Sequence, residues 1–222
     1  MRRFWVEVPE VEQFDFKAGQ FVTMDLPLGE KRLQRWRSYS IASAPDGTNI
    51  LEFCIVRATE GEATKYLFES VEEGTNLKFK GPEGGFVLPE TIERDLVLVC
   101  TGTGVAPFRS MIQDLVNSGK PHRNIHLIFG TRDEAGILYR GEFETLAQQM
   151  PWFRYDVALS RQADWPRHKG YVHEIYKAAY PTPRPDLAFY LCGWTNMIDE
   201  AVANLIAHLG YERGQVYYEL YG

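Results

Sequence analysis

Arg37-Ser38-Tyr39-Ser40 places a cation, an aromatic ring and two hydroxyls in succession at the end of an alternating run. In a strand, successive side chains point to opposite faces, so Arg37 and Tyr39 share one face and Ser38 and Ser40 the other. A ring beside a guanidinium suits a flat cofactor that carries phosphate, such as a flavin, because the ring covers the apolar plane and the cation meets the charge. Taken alone, the tetrapeptide also reads as an ordinary half-exposed strand. A second stretch, Thr101-Gly102-Thr103-Gly104-Val105-Ala106-Pro107, lies between an apolar run and an amphipathic one. Glycines at a strand-to-helix junction let the backbone approach a phosphate closely, and the helix end offers N–H groups to it. Pro107 stands at the third position of the pattern, and a tight turn with no ligand gives the same letters. Ser160-Arg161 and Cys192-Gly193 complete the set, each directly after an apolar run. The first reads as an anion site or a surface turn. The second reads as a thiol facing a cleft or a core thiol.

These groups need elements to hold them. Residues 1–90 show strands of period two at 4–8, 20–26, 37–42, 50–56 and 76–81, divided by glycine and proline turns. Short strands at this spacing predict a small antiparallel barrel. A helical stretch at 64–70, opened by Thr64, interrupts them and offers a second anion site. After Pro89 the pattern changes. Buried strands at 95–100, 125–129, 155–159, 187–191 and 216–220 alternate with helices at 107–118, 141–150, 171–179 and 196–209. Five strands separated by helices predict a doubly wound parallel sheet. In such a sheet ligands bind beyond the carboxyl ends of the strands, where Thr101–Pro107, Ser160-Arg161 and Cys192-Gly193 fall.

Composition narrows the class. In 222 residues, 45% are apolar, 24% charged and 14% aromatic, which describes a globular protein. A net charge of −6 argues against a nucleic-acid surface. No run of eighteen apolar residues predicts a membrane span, and Met1-Arg2-Arg3-Phe4-Trp5 opens straight into a strand pattern, so a cytoplasmic location is expected. Cys54, Cys100 and Cys192 lie far apart with no Cys-x-x-Cys, and neither His122 nor His126 belongs to a ligand motif. No disulfide framework, cluster or metal site is expected. Cys54 and Cys100 read as small buried hydrophobes. Nothing in the sequence speaks to oligomeric state.

Taken together, and over nearly the whole chain, these motifs resemble the plant-type ferredoxin–NADP reductase family of flavoproteins. Arg37-Ser38-Tyr39-Ser40-Ile41-Ala42-Ser43 resembles its flavin motif, which implies Arg37 at the pyrophosphate, Tyr39 on the isoalloxazine and Ser40 near flavin N5. Cys54, Ile55 and Val56 resemble the strand that lies along the flavin. Gly61, Glu62, Ala63 and Thr64 stand where the family has a Gly-x-x-Ser that binds the flavin diphosphate. Thr101, Gly102, Thr103, Gly104 and Pro107 resemble its nicotinamide-nucleotide loop. Ser160 and Arg161, with Lys169 and Tyr171, resemble the set that holds the 2′-phosphate of NADPH, although related NADH-using enzymes carry similar segments. Cys192-Gly193-Trp194-Thr195-Asn196-Met197 resembles the segment that sets a thiol beside the nicotinamide. Glu219-Leu220-Tyr221 resembles the terminal motif whose ring covers the other flavin face and whose carboxylate manages protons and charge.

The resemblance implies two domains: an FAD-binding antiparallel β-barrel at 1–90 and an NAD(P)-binding α/β doubly wound parallel sheet at 91–222. It implies hydride transfer from NADPH, or from NADH, to FAD and then single-electron release to an acidic carrier, a ferredoxin or flavodoxin. Ser40, Cys192, Glu219 and Tyr221 are the expected catalytic residues. The chain departs from the pattern in four places. The family has a further strand ahead of the position of Met1, Thr64 replaces a serine, the loop from Arg57 to Gly61 is short and lacks an aromatic, and Gly222 follows Tyr221. Lys31, Arg32 and Arg35, just before the flavin motif, are a candidate carrier-docking patch or a solvated hairpin loop. Two alternatives remain: an NADH-dependent reductase component of an oxygenase, and a flavin-binding electron-transfer subunit without nicotinamide oxidation.

Overall fold

A computed structural model describes residues 1–220, which form two compact units. The first comprises Met1–Leu88 together with Ala106–Gly119; the second comprises Pro89–Val105 and the chain from Lys120 onward. Among the described residues no helix is long and apolar enough to cross a membrane.

The first unit is antiparallel. Its elements are β1 (Arg2–Glu7), β2 (Phe21–Asp25), α1 (Arg32–Arg35), β3 (Trp36–Ser40), β4 (Ile50–Ile55), α2 (Glu62–Glu69) and β5 (Lys78–Glu83). The strands pair as a two-stranded β1-β4 ribbon and a three-stranded β3-β2-β5 sheet, joined by an isolated bridge between Ile41 and Phe53. Alternation sets the faces. Phe4 and Val6 pack toward Val22, Leu51, Phe53, Ile55 and Leu67, while Arg3, Trp5 and Glu7 point outward. The helix expected to open at Thr64 starts at Glu62, with Gly61 as N-cap. Thr64 lies in its first turn, where its hydroxyl accepts from the Ala58 amide at 3.0 Å and donates to the Gly61 carbonyl at 3.0 Å. Tertiary closure of the 58–64 loop thus overrides the local capping preference of Thr64.

The second unit contains β6 (Asp95–Thr101), followed by α3 (Val105–Ser118), whose body groups with the first unit, and then β7 (Ile125–Thr131), α4 (Arg140–Gln149), β8 (Phe153–Leu159), β9 (His168–Lys169), α5 (Val172–Ala179), β10 (Leu187–Gly193), α6 (Thr195–Val202) and β11 (Val216–Leu220). The six-stranded sheet has the order β11-β10-β6-β7-β8-β9 and is parallel throughout. Leu96 to Cys100 are all at most 2% exposed, which accounts for their unbroken apolar run. Each such Val or Leu stabilises the fold by about 1.5–3 kcal/mol. Two features differ from expectation. The two-residue β9 adds a sixth strand, and the helix expected at 196–209 changes at Ala203 into a π-helical turn through His208. Pro107 sits in the first turn of α3, and Gly119 closes it at φ +61°.

Candidate cofactor and nucleotide sites

In the first unit, Tyr39 is half-buried on β3, and burial pushes its phenol up to about 12 against the opposing effect of Arg37. The hydroxyl therefore stays neutral and the ring behaves as an apolar face with a polar tip. Arg37 donates through Nη1 to the carbonyls of Leu33 and Trp36 at 2.8 and 2.7 Å. Its guanidinium is thereby anchored beside α1. Ser40 is buried at 8% exposure, whereas Ser38 is exposed, its hydroxyl 3.2 Å from that of Thr23, which donates to Glu83. On the following strand Cys54 and Ile55 are buried, and Val56, just past its end, is 45% exposed. Val56 is thus the residue of that trio able to lie along a flat ligand. The first turn of α2 has no side-chain cap; the Gly61 amide donates to the Ala58 carbonyl at 3.4 Å, which leaves the amides of Glu62 and Ala63 to meet an anion. A phosphate fits such an end.

In the second unit the strand order reverses across β6 and β10, and the expected nucleotide groups lie at the carboxyl ends of those two strands. Gly102 takes φ +56° and has nothing within 4 Å of the place a Cβ would occupy, so its open side leaves room for a ligand. Gly104 is glycine for another reason: a Cβ there would overlap the Cys192 carbonyl and the Gly193 Cα. Gly193, at φ +138°, is packed against Thr101, whose Oγ1 accepts from the Trp194 amide at 3.3 Å. The two strand ends are therefore locked to each other, with Gly102 left open above them. That arrangement fits a dinucleotide pyrophosphate.

Cys192 is fully buried rather than facing an open cleft. It lies in register with Cys100 on β6 and Glu219 on β11, so the alternation of β10 turns its thiol into a row that continues to Phe129 on β7. Burial, with Cys192 beside it, pushes the Cys100 thiol well up. Glu219 ends the same row. Burial alone raises its carboxyl to about 7, and its buried Oε2 has no hydrogen-bond partner among the described residues. Such a carboxyl can hold or release a proton near neutral pH. Tyr221 lies outside the described residues.

Ser160, Arg161, Lys169 and Tyr171 are all exposed and are brought together by backbone pairing: Ser160 N donates to Thr131 O at 3.0 Å, and Gly170 N to Leu159 O at 2.9 Å. Arg161 N donates to Arg132 O at 2.8 Å, which places a second exposed arginine on the same edge. Sequence reasoning missed Arg132, although its position just past the end of β7 was the available signal. In the docking patch, Arg35 is held by Asp25 at 2.6 Å and is not available to a partner in the way Lys31 and Arg32 are. Arg32 stacks 3.7 Å above Trp36, and Leu33 is 89% exposed between them.

Residues 1–88 match the oxidoreductase FAD-binding domain and residues 98–203 the oxidoreductase NAD-binding domain. The chain is 34% identical to ferredoxin–NADP reductase B of Sorangium cellulosum, over 100% of this chain and 91% of that protein. It is 33% identical to the phenol hydroxylase P5 protein of Acinetobacter pittii, over 90% of this chain but 56% of that protein. Among solved structures, a cytochrome P450 reductase from Amycolatopsis superposes with TM-score 0.86 at 27% identity, covering 98% of this chain and 64% of that one. A ferredoxin NADP+ reductase from Neisseria gonorrhoeae shares the fold, with TM-score 0.81 at 23% identity, covering 98% and 91%. The chain thus spans nearly all of one relative and just over half of the phenol hydroxylase protein.

Proposed function

We propose that this chain, which belongs to the ferredoxin–NADP reductase family of FAD- and NAD-binding oxidoreductases, is an NADPH-dependent reductase serving a small acidic carrier of the ferredoxin or flavodoxin kind. The observation that carries the nucleotide choice is the exposed edge where Ser160, Arg161 and Lys169 gather beside Arg132. Two guanidiniums and an ammonium there suit a 2′-phosphate, which NADPH has and NADH lacks. We take residues 1–90 as the FAD-binding domain and 91–222 as the NAD(P)-binding domain, and place the protein in the cytoplasm.

Bound FAD supplies hydride acceptance from the reduced nicotinamide and one-electron release. The chain supplies binding, orientation and proton control. Tyr39 and Val56 would offer apolar surface to the ring system, Arg37 and the uncapped start of α2 would neutralise its phosphates, and Ser40 is assigned to the N5 environment. Thr101, Thr103 and the open Gly102 hold the nucleotide pyrophosphate, with Pro107 fixing the start of the helix behind them. Tyr171, with Ser160, Arg161 and Lys169, would hold the 2′-phosphate end. Gly193 and the backbone of Cys192 shape the nicotinamide end, and Glu219 holds a proton beside them. Tyr221 is assigned to the second flavin face.

For the carrier, the exposed Lys31 and Arg32 stand directly before the exposed Leu33, with Arg32 over Trp36, a basic rim with an apolar tip on a chain of net charge −6. A second reading, an NADH-dependent reductase component of an oxygenase, is favoured by the 33% identity to the phenol hydroxylase protein. The iron–sulfur centre would then reside on another chain or segment. Turnover of Arg161→Ala with each nucleotide separates the readings. Loss of a charge-assisted contact should raise KM for NADPH about tenfold or more while leaving NADH within about twofold. Equal losses with both nucleotides would contradict the NADPH assignment.

A further inference from the structure

Directly after the flavin strand, Ala42 and Ser43 are held from two sides by residues that no part of the mechanism uses. On one side the Ala42 amide donates to the Glu52 carbonyl at 2.7 Å, and the Glu52 amide donates to the Ser43 hydroxyl at 3.1 Å. On the other, two side chains of α3 reach the same pair. Arg109 Nη1 donates to the Ala42 carbonyl at 2.8 Å, and the Ser110 hydroxyl to the Ser43 carbonyl at 2.6 Å. Arg109 and Glu52 are also joined to each other at 3.1 Å, both nearly buried at 6% and 4% exposure. Arg3 grips the same carboxylate at 2.6 and 2.8 Å.

A buried carboxylate with two arginines is a costly way to gain stability, because desolvation offsets most of the attraction. Its value lies in geometry. Arg109 Nη1 meets a carboxylate and a carbonyl at once, which no apolar pair of the same size does. Ser40 lies two residues before Ala42, and Ile41 between them is fixed by its amide to Gln20 O at 3.0 Å and by the bridge to Phe53. Arg109 stands five residues after Gly104, one turn into a continuous helix.

We propose that Arg109 and Glu52 are positioning residues: they clamp the Ser40–Ser43 segment in the form that presents Ser40 to a flavin. That the segment serves a flavin rests on the function proposed above; the clamp itself does not.

Amide hydrogen exchange of the flavin-free chain tests this without turnover. In Arg109→Met, which keeps most of the side-chain length but neither bond, the 41–43 amides should exchange at least about threefold faster than in the wild type, and FAD should bind at least about threefold more weakly. Ser110→Ala removes one hydroxyl and should give the same change in smaller measure, so the test survives if Arg109→Met does not fold. Unchanged exchange at 41–43 in the folded variants overturns the clamp. So does acceleration that is equal in β7, because that reports general loosening. If the wild type does not bind FAD, the cofactor reading fails while the variant exchange rates still judge the clamp. If FAD binds and exchange does not change, the clamp alone fails.

Discussion

Glu219→Gln offers a sharp physical test, because one buried oxygen and one shifted carboxyl determine its sign. The folded chain holds the Glu219 proton to about pH 7, against an ordinary value of 4.5, because burial disfavours the charge. The folded state therefore binds the proton more tightly than the unfolded state, and stability falls as pH rises through that window. Below about pH 4.5 both states are protonated and the carboxyl costs nothing. Above about pH 7 the full cost applies. At about 1.4 kcal/mol per pH unit the gap amounts to about 3 kcal/mol, and partial solvent access reduces this to about 1.5–3 kcal/mol. Glutamine keeps the shape and cannot ionise. The variant should thus match the wild type near pH 4 and exceed it at pH 8 by that amount, about 4–10 °C in Tm for a chain of this size. Thermal melts of the flavin-free protein from pH 4 to 9 measure it. A stability difference that does not vary with pH, or a wild type more stable than the variant at pH 8, would refute the assignment of a buried, unpartnered carboxyl.

Three further outcomes follow from the sites. Gly102→Ala should cost only about 1–2 kcal/mol of stability, since φ +56° is strained for alanine but nothing lies within 4 Å of the new Cβ, yet it should sharply weaken 2′-phospho-AMP binding; retained affinity would remove the loop from the nucleotide site. Tyr221→Ser should tighten nicotinamide binding and strengthen a flavin–nicotinamide charge-transfer band, and an unchanged spectrum and affinity would remove Tyr221 from the flavin face. Reversing Lys31 and Arg32 to glutamate should slow carrier reduction and flatten its salt dependence while sparing a small artificial acceptor. Slowing of both acceptors would count against docking.

The sequence revealed what depends on local pattern. The five-residue apolar run from Leu96 to Cys100, with a glycine-rich turn after it, reads as a buried strand, and the spacing of Phe108, Met111, Ile112 and Leu115 as a helix face, so the parallel sheet and its nucleotide end were legible. What escaped depends on distant partners. The two residues of β9 carry no pattern of their own and are strand only because β8 pairs with them. Thr64 looked like a cap, but the Ala58 amide claims its hydroxyl. The burial of Cys192 follows from its register with Cys100, ninety-two positions earlier in the chain, and the Glu52–Arg109 pair spans 57 positions with no local sign. The π-turn at Ala203–His208 follows a helical run whose apolar spacing gives no warning of it. Glu219 was found as a motif, whereas the lack of a partner for its Oε2 among the described residues required the fold.

The account rests on electrons entering from a nicotinamide and resting on a flavin held by this chain. Anaerobic stopped-flow mixing of the FAD-loaded protein with NADPH and, separately, NADH tests that most directly. Bleaching of the yellow absorbance in a single turnover, faster and at lower concentration with NADPH, is the predicted result. A flavin that binds but stays oxidised with both nucleotides would contradict the central claim.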